Sequence, residues 1–161
     1  MNAITPGEFY QIAEFDLNRQ RHAMAGLDAE RKRLAMPVAE MENRSGVSMN
    51  SFFSWRSVSR EPTLGCLVCI SQTLGFDVIM RRRKPGAADL NLDDLGAALA
   101  ALDAERKRRK MRLGDMEEKS GVSANTFLAW KSGSRKPTLG CLVAIAQTLG
   151  FDVILKRRLA S

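Results

Sequence analysis

The chain has 161 residues, of which 45% are hydrophobic and 27% charged, so it can bury one or two small cores and is not expected to be disordered. Its net charge of +7 suits a polyanionic partner. No run approaches the roughly 18 apolar residues of a membrane span, and residues 1–10 lack the pattern of a signal peptide. Together with the odd count of 3 cysteines, this predicts a cytoplasmic protein with no membrane contact.

A duplication organises the chain. Residues 27–83 align with residues 102–158 at a constant offset of 75 without a gap, and 38 of the 57 aligned positions are identical. The match weakens upstream but keeps its phase, since Leu17 falls opposite Leu92. Each unit is therefore predicted to begin with a longer helix than the strict repeat shows.

The repeat predicts four segments. They are an N-terminal extension over residues 1–16, a first domain over 17–83, a linker over 84–91 and a second domain over 92–161. The spacing from Thr5 to Glu8 is that of a capping box and predicts a short helix in the extension.

In the first unit, apolar spacing predicts helices over residues 37–44 and 63–74 and a strand over 76–80. Between the two helices, Gly46 is expected to end one helix in a left-handed conformation, and Ser48 to cap the next. The helix that follows Ser48 turns Phe52 and Trp55 inward.

In the second unit, the same patterns predict helices over residues 92–109, 112–120, 124–131 and 138–149, and a strand over 151–155. Gly121 and Ser123 are the counterparts of the first unit's turn glycine and cap. Phe127 and Trp130 are the inward rings.

The sequence contains no residue pattern that predicts a catalytic or metal site. Cys66 and Cys69 form a C-x-x-C spacing, but both fall in an apolar helix, so we expect these two cysteines to be buried in the core. His22 is the single histidine and has no nucleophile motif near it. We expect no enzyme activity, no metal site and no cofactor.

The ordered set of features resembles the Cro/repressor-type (XRE-like) helix-turn-helix family over about 57 residues of each unit. The features are G-V-S, an apolar-x-x-apolar helix, a loop ending in proline, and a closing helix that ends in L-G; in the second unit they run from Gly121 to Gly150. The resemblance implies a mainly α protein of two tandem lambda-repressor-like five-helix domains, each ending in a short β-strand. Its function would be sequence-specific binding of double-stranded DNA as a transcriptional regulator, most simply a repressor.

The resemblance also implies which residues contact DNA. The helix after the turn enters the major groove, and its outward residues would read bases. These are Met49, Asn50, Phe53 and Ser54 in the first unit and Ala124, Asn125, Leu128 and Ala129 in the second. Asn50 and Asn125 are the best candidates, because a carboxamide pairs with adenine through two hydrogen bonds.

Other polar residues would contact phosphates. Around the reading helix they are Ser51, Arg56, Ser59, Arg60, Thr126, Lys131, Ser134 and Arg135. At the end of the first helix they are Arg31, Lys32, Arg33, Arg106, Lys107 and Arg108. A solvated helix face remains the alternative for this second group. The family often has a glutamine early in the second helix, where this chain has Val38 and Leu113.

Two domains in one chain can replace a dimer. We predict that the strands over residues 76–80 and 151–155 pair antiparallel around a pseudo-twofold axis, because an unpaired strand exposes its backbone groups. A homodimer through these strands or through the extension is the alternative. Two other functions stay open, an antitoxin that also wraps a toxin and an adaptor that binds protein through the apolar outward helix face.

Overall fold

The computed structural model describes residues 6–159, which form a mainly helical protein with one four-stranded antiparallel sheet. The first half contains α1 (Pro6–Phe9), β1 (Glu14–Asp16), α2 (Gln20–Arg33), α3 (Val38–Ser45), α4 (Met49–Arg56), α5 (Leu64–Thr73) and β2 (Phe76–Arg82). The second half contains β3 (Leu90–Asn91), α6 (Leu95–Arg108), α7 (Leu113–Ser120), α8 (Ala124–Ser132), α9 (Leu139–Thr148) and β4 (Phe151–Arg157). The helix expected in the extension is present as α1, and Thr5 lies outside the described residues.

The two halves repeat the same elements. The helices α2 to α5 begin 75 residues before α6 to α9, as the alignment requires. Between residues 14 and 157, each half has four helices and two strands, so the expectation of five helices and one strand per domain is wrong. In each half, a strand follows the closing helix directly, and a short strand precedes α2 or α6. The short strand of the second half, β3, lies in the segment predicted to be the linker.

The sheet joins the two halves. Its strand order is β1-β4-β2-β3, and the central strands β2 and β4 pair antiparallel over residues 76–82 and 151–157. Ile79 lies opposite Ile154, its equivalent in the repeat, so the register is symmetric about this residue pair.

Each half also supplies an edge strand to the other. The strand β1 of the first half pairs with β4 of the second, and β3 of the second half pairs with β2 of the first. The middle of each central strand, residues 79–80 of β2 and 154–156 of β4, is therefore paired on both sides within the chain. A homodimer contact along the middle of these two strands would have to displace an edge strand.

The hydrophobic core is continuous across both halves. The inward side chains of the two central strands are buried, among them Phe76, Met80, Phe151 and Leu155. Because both sets of helices pack on one face of a shared sheet, neither half has a separate core.

Two reciprocal arginine contacts also bind the halves together. Arg82 of β2 donates to Glu105 of α6 at 2.6 Å and lies over the ring of Phe151, 4.7 Å from its centroid. Arg157 of β4 makes the equivalent ion pair with Glu30 of α2 and lies 4.7 Å from the centroid of Phe76. Each half thus places one guanidinium against a carboxylate and a ring of the other.

The expectation of buried cysteines is wrong. Cys66 and Cys69 are exposed on α5, and Cys141 on α9 is partly buried. The buried side of α5 is built from the apolar residues around Leu67 and Ile70, which turns the two cysteines outward. Within residues 6–159, no group of three or more side chains is arranged to hold a metal ion, and no helix is both long and apolar enough to cross a membrane.

Candidate nucleic-acid interface

The helices α3 and α4 are joined by a tight turn of three residues. Gly46 ends α3 with a left-handed φ of 75°, a conformation that glycine adopts without steric cost. Ser48 is the N-cap of α4, and its hydroxyl accepts a hydrogen bond from the backbone N–H of Ser51 at 3.2 Å. The second half repeats the turn, with Gly121 at φ 76° and the Ser123 hydroxyl accepting from Thr126 at 3.1 Å.

A carboxylate from the preceding helix supports each turn. Glu42 of α3 accepts the backbone N–H of Met49 at 3.2 Å, and Glu117 of α7 accepts that of Ala124 at 2.9 Å. These contacts satisfy an N–H group that lacks a partner within the helix, and they place a negative charge at the helix N-terminus, where the dipole favours it.

On each of α4 and α8, two buried aromatic rings attach the helix to the core on the side that faces away from solvent. Phe52 and Trp55 are buried and meet edge to face, with centroids 6.1 Å apart. Phe127 and Trp130 repeat this arrangement at 6.2 Å. The prediction that these four rings face inward is confirmed, and it fixes which side of each helix is left open to solvent.

On that open side, Asn50 and Asn125 are exposed near the start of α4 and α8. In the part of the chain that the structure describes, neither carboxamide has a hydrogen-bond partner. Phe53 and Leu128 lie one turn further on and are 38% and 43% exposed. Each helix therefore presents one amide and one large apolar side chain, with Ser54 or Ala129 partly buried beside them.

The expectation that Met49 faces outward is wrong. Its side chain is only 4% exposed and belongs to the hydrophobic core. Met49 is the first residue of α4, and its long flexible chain reaches back into the core. Its equivalent Ala124 is too short to do so and stays partly exposed.

A buried carboxylate ties the first helix of each half to the exposed helix. Asp28 of α2 contacts Arg56 of α4 at 3.0 Å and Lys32 at 3.4 Å. Asp103 of α6 contacts Lys131 of α8 at 2.7 Å and Lys107 at 3.3 Å. Arg56, Lys32, Lys131 and Lys107 keep a large part of their side chains exposed.

The environment of Asp103 keeps it ionised. Burial alone would raise its pKa, but hydrogen bonds from Lys131 and Arg106 outweigh burial and lower the pKa to about 2. The carboxylate therefore holds these cations in place across the neutral pH range.

Arg31 and Arg106 are mostly buried rather than exposed on the helix surface. Arg31 donates to Asp28 at 3.1 Å and to the carbonyl of Met36 at 3.0 Å, and its side chain is 13% exposed. Arg106 makes the same contacts with Asp103 and the carbonyl of Met111. Both guanidiniums link the end of α2 or α6 to the loop after it and are largely engaged there, so their role as phosphate contacts stays a prediction.

The rest of the basic run divides between two sides of the helix. Lys32 and Lys107 share a carboxylate with the exposed helix, whereas Arg33 and Arg108 pair with Glu30 and Glu105 beside the sheet. Residues one position apart on a helix point about 100° away from each other, so the run does not form one surface.

The hydroxyls near the exposed helices are mostly used locally. Ser51 and Thr126 contact the capping serines at 3.0 and 2.8 Å. Ser59 and Ser134 donate to backbone carbonyls of the helix before them at 3.2 and 3.3 Å.

The loops that follow α4 and α8 meet each other. The N–H of Leu64 donates to the carbonyl of Pro137 at 3.0 Å, and the N–H of Leu139 donates to that of Pro62 at 2.9 Å. Arg60 and Arg135 lie in these loops, and both are exposed without an ion pair among the described residues.

Some residues that position this surface were not found from the sequence. Gln20 donates to the carbonyls of Trp55 and Arg60 at 3.0 and 2.9 Å, and so connects α2 to the end of α4. The role of Asp28 and Asp103 could have been predicted. In the segment L-D-A-E-R-K-R, which is identical in both units, basic residues follow each aspartate at positions i+3 and i+4, the spacing of ion pairs on a helix. Val38 and Leu113 are partly buried and pack against the core.

Comparisons with protein families, curated proteins and solved structures find no match for this chain. The features that bear on function are therefore the geometry of these helices and the chemistry of their exposed side chains.

Proposed function

We propose that this protein is a sequence-specific double-stranded DNA-binding regulator of transcription, acting as a repressor through two tandem helix-turn-helix units. The observation that carries the proposal is a pair of exposed carboxamides, Asn50 and Asn125, at equivalent places on two short helices and without a hydrogen-bond partner among residues 6–159. Each helix follows a three-residue turn of the kind that joins the two helices of a helix-turn-helix motif.

In this proposal, α4 and α8 enter the major groove at two half-sites. Each asparagine pairs with an adenine, and Phe53 or Leu128 packs against thymine methyl groups. Because the register of the central strands is symmetric about Ile79 and Ile154, the two units are proposed to be related by a pseudo-twofold axis, as the half-sites of an operator are.

The surrounding cations are proposed to contact the phosphates. Arg60 and Arg135 are exposed and have no ion pair within residues 6–159, while Arg56 and Lys131 are held by buried aspartates at the ends of α4 and α8. Such contacts position the protein on the duplex without reading its sequence. Each neutralised phosphate should steepen the fall of log K against log salt concentration by about 0.9.

The two units differ at the apolar position and at the partly buried position beside it. Phe53 and Ser54 of the first unit correspond to Leu128 and Ala129 of the second. The proposed operator is therefore an imperfect palindrome, in which two similar half-sites share an adenine and differ in detail.

The test is selection of duplexes bound by the full chain from a random pool, followed by affinity measurements on the selected sequence. Asn50→Ala and Asn125→Ala should each weaken binding by about 1–3 kcal/mol and relax the preference at one half-site only. Asn18→Ala is the matched control, because Asn18 is an exposed asparagine that belongs to neither α4 nor α8 nor the turns before them.

Unchanged affinity and preference in both variants would remove the asparagines from the readout. If the wild-type chain binds no duplex even at low salt, the regulator assignment fails. The exposed Phe53 and Leu128 would then be tested as a contact for protein, as an adaptor would use them.

A further inference from the structure

An open cleft of about 640 Å³ lies where the end of β2 meets the ends of α6 and α9. The first half lines it with Arg82, Arg83 and Lys84, and the second half with Arg108 and Arg109. The cleft is distinct from the surface described above, since no exposed residue of α4 or α8 lines it.

Its positive charges are only partly balanced. The buried carboxylate of Glu105, whose side chain is 2% exposed, accepts from Arg108 and Arg82 at 2.6 Å and from Arg109 at 2.9 Å. These hydrogen bonds, the strongest of them from Arg108, hold the pKa of Glu105 well below its usual value. One carboxylate therefore faces three guanidiniums.

The other two cations add to this excess. Arg83 is balanced by Asp152 at 2.8 Å, but Lys84 has no ion pair among the described residues. About three positive charges thus remain without a counterion, and the guanidiniums are already held in place. Arg82 stacks on a ring, and Arg109 lies against Gly150 and donates to the carbonyl of Thr148 at 3.3 Å.

The equivalent cleft in the first half provides an internal comparison. There, Leu34 stands in place of Arg109 and Leu159 in place of Lys84. The N-terminal segment also occupies Arg157, the counterpart of Arg82, which donates to the carbonyls of Phe9 and Ile12. Two clefts that arose from one sequence therefore differ in charge: four arginines and two glutamates line the first, whereas five cations and one glutamate line the second, which has the larger positive excess.

We infer that the basic cleft binds a small phosphorylated anion, and that a diphosphate group is its best match in charge. Guanidiniums bind phosphoryl oxygens through paired, charge-assisted hydrogen bonds. The ligand would contact β2 of the first half and α6 of the second at the same time. The length of α9, about 15 Å for its 10 residues, separates the cleft from the loops that meet beyond α4 and α8.

The test is calorimetric titration of the full chain with inorganic pyrophosphate at constant ionic strength. We expect saturable binding by the wild-type protein. Arg109→Leu, which installs the residue of the first half, should weaken it about tenfold or more, as expected when a charge-assisted contact is lost. Lys84→Leu, the second such replacement, lies outside any helix or strand and should weaken binding without disturbing the fold.

Lys107→Ala is the matched control. It removes one positive charge from the same helix, but Lys107 pairs with Asp103 away from the cleft, and its binding of pyrophosphate should stay close to that of the wild type. No saturable binding by the wild type, or equal weakening in Arg109→Leu and Lys107→Ala, would overturn the inference.

Phosphates of a duplex offer the same chemistry, so duplex affinity is also measured without pyrophosphate, here for the wild type and Arg109→Leu, because Lys107 is itself a candidate phosphate contact. Equal duplex affinity for Arg109→Leu and the wild type supports a small-molecule ligand. A clear loss in Arg109→Leu, with no pyrophosphate binding by the wild type, would assign the cleft to the duplex instead. If the wild type binds no duplex at all, the proposed function fails, while the titration still decides the cleft.

Discussion

At the scale of single residues, one glycine shows how closely the first helix packs on the sheet. A Cβ built on Gly26 of α2 would have three ring carbons of Phe15 within 2.9 Å. In the second half, the equivalent positions hold Ala101 and Leu90. The small residue on the helix and the large one on the strand have therefore changed together between the two halves.

We expect Gly26→Ala to destabilise the protein by about 1–3 kcal/mol, because the added methyl group overpacks a filled site. Phe15→Leu combined with Gly26→Ala recreates the pair of the second half and should recover most of that loss. Urea unfolding of the wild type, both single variants and the double variant measures the coupling. Additive effects of the two substitutions would contradict this packing argument.

Single residues also show why outward positions are hard to assign from sequence. Asn50 and Asn125 are exposed where the helical spacing placed them, because the Phe/Trp pairs fix the rotation of α4 and α8. Met49 is buried although it starts from the same helix face, since its flexible chain reaches the core. Spacing gives the direction of Cβ but not the path of a long side chain.

At the scale of elements, the turn glycines determine where α3 and α7 end. Gly46 and Gly121 both have left-handed φ values, and nothing lies within 4 Å of a Cβ built on either one. A side chain at these positions would therefore be opposed by backbone strain alone. Gly114, in the first turn of α7, also has open space but lies in the helix itself.

Gly121→Ala should therefore destabilise the protein by about 1 kcal/mol, because alanine resists the left-handed conformation. Gly114→Ala is the matched control and should stabilise it by up to about 1 kcal/mol through helix propensity. Thermal or urea unfolding of both variants gives the two signs. The same sign for both substitutions would show that the turn does not depend on the left-handed glycine.

At the same scale, ion pairs decide where the basic side chains at the ends of α2 and α6 lie. The predicted basic run at its end is present in α2 and α6, but the structure divides it into three groups. Arg31 and Arg106 bind the following loop, Lys32 and Lys107 lie beside the exposed helix, and Arg33 and Arg108 lie beside the sheet. The number of charges in a run does not reveal this division, because buried acidic partners decide where each side chain lies.

At the scale of the whole molecule, the two halves share one hydrophobic core and exchange edge strands. The ion pairs of Arg82 with Glu105 and of Arg157 with Glu30 also cross between them. Unfolding of either half would therefore expose the core face of the other, and we expect the chain to unfold as one cooperative unit.

The two tryptophans allow a direct test, since Trp55 and Trp130 occupy equivalent buried sites, one in each half. In Trp55→Phe the fluorescence reports only on the second half, and in Trp130→Phe only on the first. Within each variant, the fluorescence and far-ultraviolet circular dichroism midpoints in urea should coincide. Separate midpoints for the two probes would mean that the halves unfold independently.

Much of the local structure follows from the sequence by itself. Apolar spacing, turn glycines and capping serines act over a few residues, so the duplication, the turns at Gly46 and Gly121 and the helices around them could be predicted. The inward rings could be predicted for the same reason. The proposed reading residues Asn50 and Asn125 follow from the same local pattern.

Only the tertiary structure decided which groups meet over long range. The exchange of β1 and β3 between the halves, the exposure of Cys66 and Cys69, and the basic cleft around Glu105 all depend on contacts between segments far apart in the chain. Such contacts are set by the packing of whole elements, and the sequence of a short segment does not determine which distant segment will pack against it.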